Sequence, residues 1–158
     1  MFSEAVYEEK RLASDEGFEC KMYRDSRGVT TIGYGTNLDV GLTELEARLL
    51  LRERMNVARK DAARVCQHFN IDYEQLPMDV RGALLNFLYN VGFYGAKGFV
   101  KMFSALAARD FIRASYELLQ SRYADQVGDR AIRLANRIAC GSPQLNAEGV
   151  TTHAPLIG

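Results

Sequence analysis

Residues 43–69 contain neither glycine nor proline, and this stretch limits the possible folds more than any other part of the chain. It opens with Thr43-Glu44-Leu45-Glu46, which fits a capping box with Thr43 as the N-cap and Glu46 reaching back. The sequence therefore predicts a helix of about 25 residues. A helix of that length exceeds the needs of one small lobe, so we expect it to link the lobe before it to the lobe after it.

In the segment before the long helix, the spacing of apolar side chains changes from that of a helix to that of a strand. Residues 3–15 show helical spacing of apolar side chains, with Ser3 as a candidate N-cap and Gly17 as the stop. Residues 20–36 then alternate as strands do, around the turn signal Asp-Ser-Arg-Gly. This pattern predicts a β-hairpin or a three-stranded ribbon, within a β-ribbon lobe at about residues 13–42.

The segment after the long helix reads as helices with short breaks, and it forms the predicted helical lobe at about residues 75–141. Residues 78–91 are apolar on nearly all sides of a helix, and this pattern predicts a buried central helix. The predicted elements are helix 78–91, loop 92–98, helices 99–108, 110–122 and 127–140, and an aperiodic surface tail, 142–158. The fold class is α+β and mostly helical, in a single domain over residues 1–158.

Composition excludes some classes of function. The 158 residues carry 20 basic and 20 acidic side chains, whereas a dedicated nucleic-acid binder has a basic excess. The start of the chain is charged and lacks an apolar targeting segment, and no apolar run is long enough for a membrane span. The cysteines are Cys20, Cys66 and Cys140; their number and spacing predict free thiols rather than disulfides or a metal site. His68 and His153 belong to no ligand cluster, so we interpret neither as catalytic nor as metal-binding.

Residues 111–140 are locally rich in arginine. Two interpretations stay open, a solvated helical surface or a weakly basic rim that faces an anionic substrate. The residues concerned are Arg113, Arg122, Arg130, Arg133 and Arg137, against Glu117, Asp125 and Asp129.

Two carboxyl groups near the start of the chain differ in their predicted surroundings. Glu16 falls in the last turn of the first helix, where the negative end of the helix dipole favours the protonated carboxyl that a general acid requires. Asp25, in a turn beside Arg24 and Arg27, is expected to stay ionised. Thr31 follows on the next strand, where its hydroxyl could hold a water. Each residue alone is common in its structural setting, but together they suggest a glycosidase-like division of roles.

These residues carry a resemblance to a known family. Glu16-Gly17, the Tyr-Arg-Asp that ends at Asp25, Gly28 and Thr-Ile-Gly-Tyr-Gly from Thr31 resemble the signature of phage-type lysozymes, the T-even-like endolysins of glycoside hydrolase family 24. Downstream, "ALLNFLYNVG" and "SRYADQVGDRAIR" are similar to the family's central helix and C-terminal helical pair. The resemblance covers roughly residues 3–141, and it implies a lysozyme-like fold with a cleft between the two lobes.

The resemblance also implies roles. Glu16 resembles the general acid, Asp25 the carboxylate that stabilises the transition state and helps direct water, and Thr31 the residue that positions that water. Tyr89 and Asn90 match positions that line the saccharide cleft, although a tyrosine here is equally common in a helix core. The family is generally inverting, which implies carboxyl groups about 6.5–9.5 Å apart. No cofactor or metal is implied. Thr36 stands where many relatives have a histidine, which puts a structural ion pair of those relatives in doubt.

By resemblance, the chain is expected to be a monomer that cleaves the β-1,4 bond between N-acetylmuramic acid and N-acetylglucosamine in peptidoglycan and so lyses the host. Without an anchor or signal, it would wait in the host cytoplasm and reach the wall through a holin pore. The rivals are a lytic transglycosylase giving 1,6-anhydro products and a non-catalytic peptidoglycan-binding module. Asp25 and Thr31 disfavour the first, since that reaction needs no directed water, and the intact set of three disfavours the second.

Overall fold

A computed structural model describes residues 4–142, 144–145 and 151–152. The chain divides into two compact units, Met1–Leu50 and Leu51–Gly158, hereafter the first and second units. The division falls inside the long predicted helix. The α+β, mostly helical fold class with a small antiparallel sheet near the N-terminus is confirmed.

The first unit contains a helix and a three-stranded sheet. The elements are α1 (Glu4–Glu16), β1 (Glu19–Arg24), β2 (Thr30–Gly33) and β3 (Thr36–Asn37). Helix α1 ends before Gly17, which adopts a positive φ of 67° as a helix stop requires, and the predicted N-cap Ser3 lies outside the described residues. The sheet order is β1-β2-β3 and both pairings are antiparallel, which confirms the three-stranded alternative.

Helix α2 (Glu44–His68) confirms the long helix and its capping box. The Thr43 backbone amide donates to the Glu46 carboxylate at 2.8 Å, and the Glu46 amide donates to the Thr43 hydroxyl at 3.3 Å. The Thr43 hydroxyl also donates to the same carboxylate at 2.6 Å and is the first cause of the lowered pKa of Glu46. Two backbone donors at the start of the helix are therefore satisfied reciprocally. The buried residues of α2 all lie in its second half, from Ala58 to Cys66.

Between α2 and Ala139, the second unit is helical. Its elements are a 3-10 helix (Tyr73–Gln75), α3 (Met78–Lys97), α4 (Val100–Ala107), α5 (Phe111–Leu119), α6 (Arg122–Val127) and α7 (Asp129–Ala139). Two predictions were wrong here. The predicted loop at 92–98 is helical through Lys97 after a single break at Gly92, where φ is 66° and ψ is 178°. The predicted helix 110–122 stops at Leu119, because Ser121 starts the separate helix α6 as its N-cap.

The core of the second unit is built around α3, as predicted for the central helix. Val80, Ala83, Leu84, Phe87 and Leu88 are all buried. The Phe87 ring packs edge-on against two other rings, with ring centroids 4.8 Å apart for Phe99 and 5.1 Å apart for Tyr123. Because aromatic rings of this kind bury large apolar areas, they account for much of the stability of this unit.

The three cysteines are free, as predicted. Cys20 and Cys140 are exposed, whereas Cys66 on α2 is fully buried. Burial raises the pKa of the Cys66 thiol to about 12, because the charged thiolate is poorly solvated there.

The tail contains structure that the sequence analysis did not predict. Strand β4 (Gln144–Leu145) pairs antiparallel with β5 (Thr151–Thr152), whereas no strand was predicted within the aperiodic tail 142–158. The rest of the tail, including His153, lies outside the described residues. Of the helices that the structure describes, none combines the length and the apolar character needed to cross a membrane.

Candidate active site

Glu16 is the last residue of α1, where the chain leaves the helix for the sheet. Its side chain is exposed. The carboxylate lies against the backbone of Gly35: a methyl group added at Gly35 would meet Glu16 Oε2 at 2.7 Å. The position of the carboxylate therefore depends on the absence of a side chain at Gly35.

Gly35 belongs to the tight connection between β2 and β3. Strand β2 ends at Gly33 with a φ of 67°, and Gly35 follows with a φ of 75°. Left-handed conformations of this kind are natural for glycine and costly for other residues, which explains the Gly-Tyr-Gly sequence. Between the two glycines, the Tyr34 ring packs against Phe18 with ring centroids 5.3 Å apart. The sheet thus brings its β2–β3 turn back to the end of α1.

A cavity of about 630 Å³ opens beside Glu16 in the first unit. Its lining combines apolar groups with three carboxylates. The lining residues are Ala5, Glu8, Glu9, Leu12, Ala13, Glu16 and Tyr34.

Asp25 follows β1 directly and closes the turn to β2. Its Oδ1 accepts hydrogen bonds from the backbone amides of Arg27 at 2.8 Å and Val29 at 2.9 Å. Its Oδ2 forms an ion pair with the Arg27 guanidinium at 3.4 Å. The Val29 amide, then the Arg27 amide and charge, hold the pKa of Asp25 below its usual value, while desolvation acts in the opposite direction. Arg24, also expected beside Asp25, instead donates to the Gly28 carbonyl at 2.7 Å.

Thr31 lies on β2 and is 4% exposed. Its hydroxyl donates to the Val29 carbonyl at 3.1 Å rather than to Asp25. The same carbonyl accepts from the Asp25 backbone amide at 3.0 Å, and the Val29 amide binds the Asp25 carboxylate. Thr31 and Asp25 are therefore joined through both polar groups of Val29. This bridge runs through backbone groups, so the residue types alone did not predict it.

Tyr89 and Asn90 lie in the second unit, on the last helical turn of α3 before the break at Gly92. Both side chains are exposed, Tyr89 by 43%. Tyr89 lines a cavity of about 470 Å³ between α2 and α3. The other lining residues are Arg54, Val57, Ala58, Asp61, Leu88 and Gly92. Glu16, Asp25 and Thr31 all belong to the first unit.

Within residues 4–142 and the two tail strands, no group of three histidine, cysteine, aspartate or glutamate side chains could hold a metal ion. The His68 ring packs edge-on against Phe69, with ring centroids 5.0 Å apart.

The mostly helical α+β fold with its small antiparallel sheet is consistent with a lysozyme-like fold, and a family comparison agrees. The model of the phage lysozyme family matches residues 13–139, which include α1 from Ala13, the sheet and the helices up to α7. The chain therefore belongs to the phage lysozyme family. As such it is a lysozyme-type hydrolase that acts on peptidoglycan.

Proposed function

We propose that the chain is an endolysin of glycoside hydrolase family 24 that cleaves the β-1,4 bond between N-acetylmuramic acid and N-acetylglucosamine. Glu16 protonates the glycosidic oxygen, Asp25 stabilises the oxocarbenium-like transition state and helps to direct water, and Thr31 positions that water. The observation that carries this proposal is the arrangement in the first unit: the Glu16 carboxyl at the end of α1 lies against the β2–β3 turn, and the β1–β2 turn of the same sheet holds Asp25, whose pKa is lowered.

The role of Glu16 is supported by its position. A general acid must reach the atom that it protonates, and the Glu16 carboxylate, at the end of α1, borders a cavity of about 630 Å³.

The role of Asp25 is supported by the hydrogen bonds that keep it ionised. Its Oδ1 accepts from two backbone amides. A carboxylate fixed in this way can stabilise positive charge in the transition state without changing its own position. We propose an inverting reaction, which leaves room for water between carboxyl groups about 6.5–9.5 Å apart.

The role of Thr31 is supported by its link to the same turn. The hydroxyl proton is directed at the Val29 carbonyl, which leaves the oxygen lone pairs to accept from a water. A water held there would be oriented by a residue bonded, through Val29, to Asp25.

Tyr89 and Asn90 are proposed to contact the saccharide. Support comes from the half-exposed Tyr89 ring at the edge of the cavity between α2 and α3. An aromatic face suits a sugar ring, and an amide suits a hydroxyl or an N-acetyl group.

The biological setting proposed is lysis of the bacterial host. The protein would accumulate as a monomer in the host cytoplasm and reach the glycan strands of the wall through a holin pore. Neither a membrane anchor nor nucleic acid takes part in this proposal.

The test is mass spectrometry of purified peptidoglycan digested by the wild type and by Glu16→Gln. Reducing N-acetylmuramic acid ends from the wild type alone would support a muramidase that uses Glu16. Glu19→Gln is the matched control, an exposed glutamate at the start of β1 that should keep full activity. Anhydro-muramic ends would instead identify a lytic transglycosylase, and the absence of cleavage would identify a binding module. Full activity of Glu16→Gln would refute the assignment of the acid.

A further inference from the structure

The two oxygens of the Asp25 carboxylate are held by different kinds of group. Oδ1 accepts from the backbone amides of Arg27 and Val29 at 2.8 and 2.9 Å. Oδ2 accepts from Nε and Nη2 of the Arg27 side chain, both at 3.4 Å. The bonds at Oδ1 need no particular side chain at position 27, because every residue except proline carries a backbone N–H. The bonds at Oδ2 depend on the arginine.

The contact at Oδ2 affects the orientation of the carboxylate. The two amides locate Oδ1, and a partner at Oδ2 limits the rotation that remains about the bond between Cβ and the carboxylate carbon. A guanidinium suits this purpose, because its N–H donors lie in one rigid plane and two of them can reach the carboxylate together. The Asp25 side chain is 21% exposed, so the protein screens it in part from water.

Arg27 also brings a positive charge into contact with Asp25. Its neighbour Arg24 donates instead to a backbone carbonyl at 2.7 Å. Val29 and Thr31, which are bonded to this turn from the side of β2, carry no charge. The Val29 amide contributes most to the lowered pKa of Asp25, and the amide, charge and side-chain hydrogen bonds of Arg27 act in the same direction.

We propose that Arg27 is a positioning residue for the reaction: its guanidinium fixes the Asp25 carboxylate in an oriented, ionised form and so extends activity to lower pH. This inference rests on the proposed function, since it assumes the role given there to Asp25. Arg27 acts through Asp25 and is not argued to contact the glycan.

The size of the effect follows from the exposure of the pair. The Arg27 side chain is 82% exposed, and ion pairs of this kind are weakened by water and salt. Removing the guanidinium should therefore change the rate by about two- to fivefold rather than abolish it. Contacts of 3.4 Å are long for hydrogen bonds, and bonds to catalytic groups often shorten when the substrate binds.

The experiment compares the pH profiles of kcat/KM on purified peptidoglycan for the wild type, Arg27→Gln and Arg27→Lys. The acid limb of such a profile reports the group that must be ionised, which is Asp25 in the proposed mechanism, and the alkaline limb reports the proposed acid, Glu16. Arg27→Gln should move the acid limb to higher pH, lower kcat/KM there by about two- to fivefold, and leave the alkaline limb in place. Arg27→Lys keeps the charge without the planar fork, so it should restore the limb in part.

Arg24→Gln is the matched control, since it removes the same charge next to Asp25 without touching the carboxylate contacts. Its acid limb should coincide with that of the wild type. An equal shift in Arg24→Gln would overturn the positioning role, because it would show a general effect of net charge.

The Asp25 carboxyl can also be titrated without substrate, by NMR of its carboxyl carbon in the wild type and in Arg27→Gln. The variant should have the higher pKa, and an unchanged pKa would overturn the inference at the contact itself. A raised pKa with an unmoved acid limb would also overturn it, and would place the failure in the role that the proposed function gives to Asp25. Because the titration involves no bond cleavage, the two failures are distinguishable.

Discussion

Substituting Gly35 by alanine would test whether the position of the Glu16 carboxylate matters. Two costs are expected. The first is conformational, because alanine at a φ of 75° loses about 1–2 kcal/mol. The second is local: the new methyl group would lie 2.7 Å from Glu16 Oε2, whereas ordinary contact begins near 3.4 Å. The carboxylate must therefore move by about 0.7 Å.

A displacement of about 1 Å at a reacting group can lower a rate about 100-fold. We therefore expect Gly35→Ala to reduce kcat/KM on peptidoglycan by roughly 10- to 100-fold. Activity would be followed as the loss of turbidity of a suspension of purified cell walls, and stability by urea unfolding of the same preparations.

Gly33→Ala is a closely matched control. Gly33 has a φ of 67°, so alanine there has a similar conformational cost, but no atom lies within 4 Å of the added methyl group. Both variants should lose about 1–2 kcal/mol of stability, and only Gly35→Ala should lose most of its activity. Equal activity of the two variants would refute the idea that the Glu16 carboxylate must stay at the Gly35 backbone.

Three further outcomes follow from the contacts described. Because the pKa of Asp25 is lowered in the folded protein, the ionised carboxylate stabilises the fold at pH values above its ordinary pKa of 3.8, and this stabilisation is lost as the pH falls through the folded-state pKa. The Tm difference between wild type and Asp25→Asn should therefore shrink towards low pH. Thr31→Val should lower the free energy of unfolding in urea by about 0.5–1.5 kcal/mol, and it should lower kcat by a larger factor than a loss of that size corresponds to. An unchanged kcat would show that Thr31 takes no part in the mechanism. Phe87→Ala, at a residue 1% exposed, should cost about 3–5 kcal/mol, and Tyr94→Ala, at 86% exposure, less than about 0.5 kcal/mol.

Local chemistry made the first unit predictable. Gly17 stops α1, and the glycines of Thr-Ile-Gly-Tyr-Gly adopt the positive φ angles that a tight connection between strands requires. The capping box of α2 likewise forms between residues three apart. Signals that depend on a few neighbouring residues can be interpreted without knowing the rest of the chain.

Tertiary contacts explain one of the two errors in the second unit, the loop predicted at 92–98. Gly92 breaks α3 as expected, but the helix resumes because Phe93 packs against the core and under the Arg64 guanidinium, 4.1 Å from the ring centroid. These partners are distant in sequence, so the local pattern of three glycines indicated a loop. The start of α6 had a local signal in Ser121, whose hydroxyl accepts from the Ala124 amide at 3.4 Å, and that signal was missed.

For the candidate site, the sequence indicated residue types but not their contacts. The ionised state of Asp25 was predicted in direction, yet one of its two arginine neighbours turns to Gly28 instead. The link from Thr31 to Asp25 through Val29 involves backbone groups, which carry no sequence signature. The roles of Glu16, Asp25 and Thr31 in catalysis stay predictions.

The buried Cys66 gives the second unit a reporter of its own opening. The thiolate is the form that attacks thiol reagents, and a thiol in the core with a pKa of about 12 forms very little thiolate. In the folded protein such reagents should modify Cys20 and Cys140 at once and Cys66 only when α2 separates from its neighbours. The labelling rate of Cys66 relative to that of Cys20 then measures how often the second unit opens locally, without a mutation or an added probe.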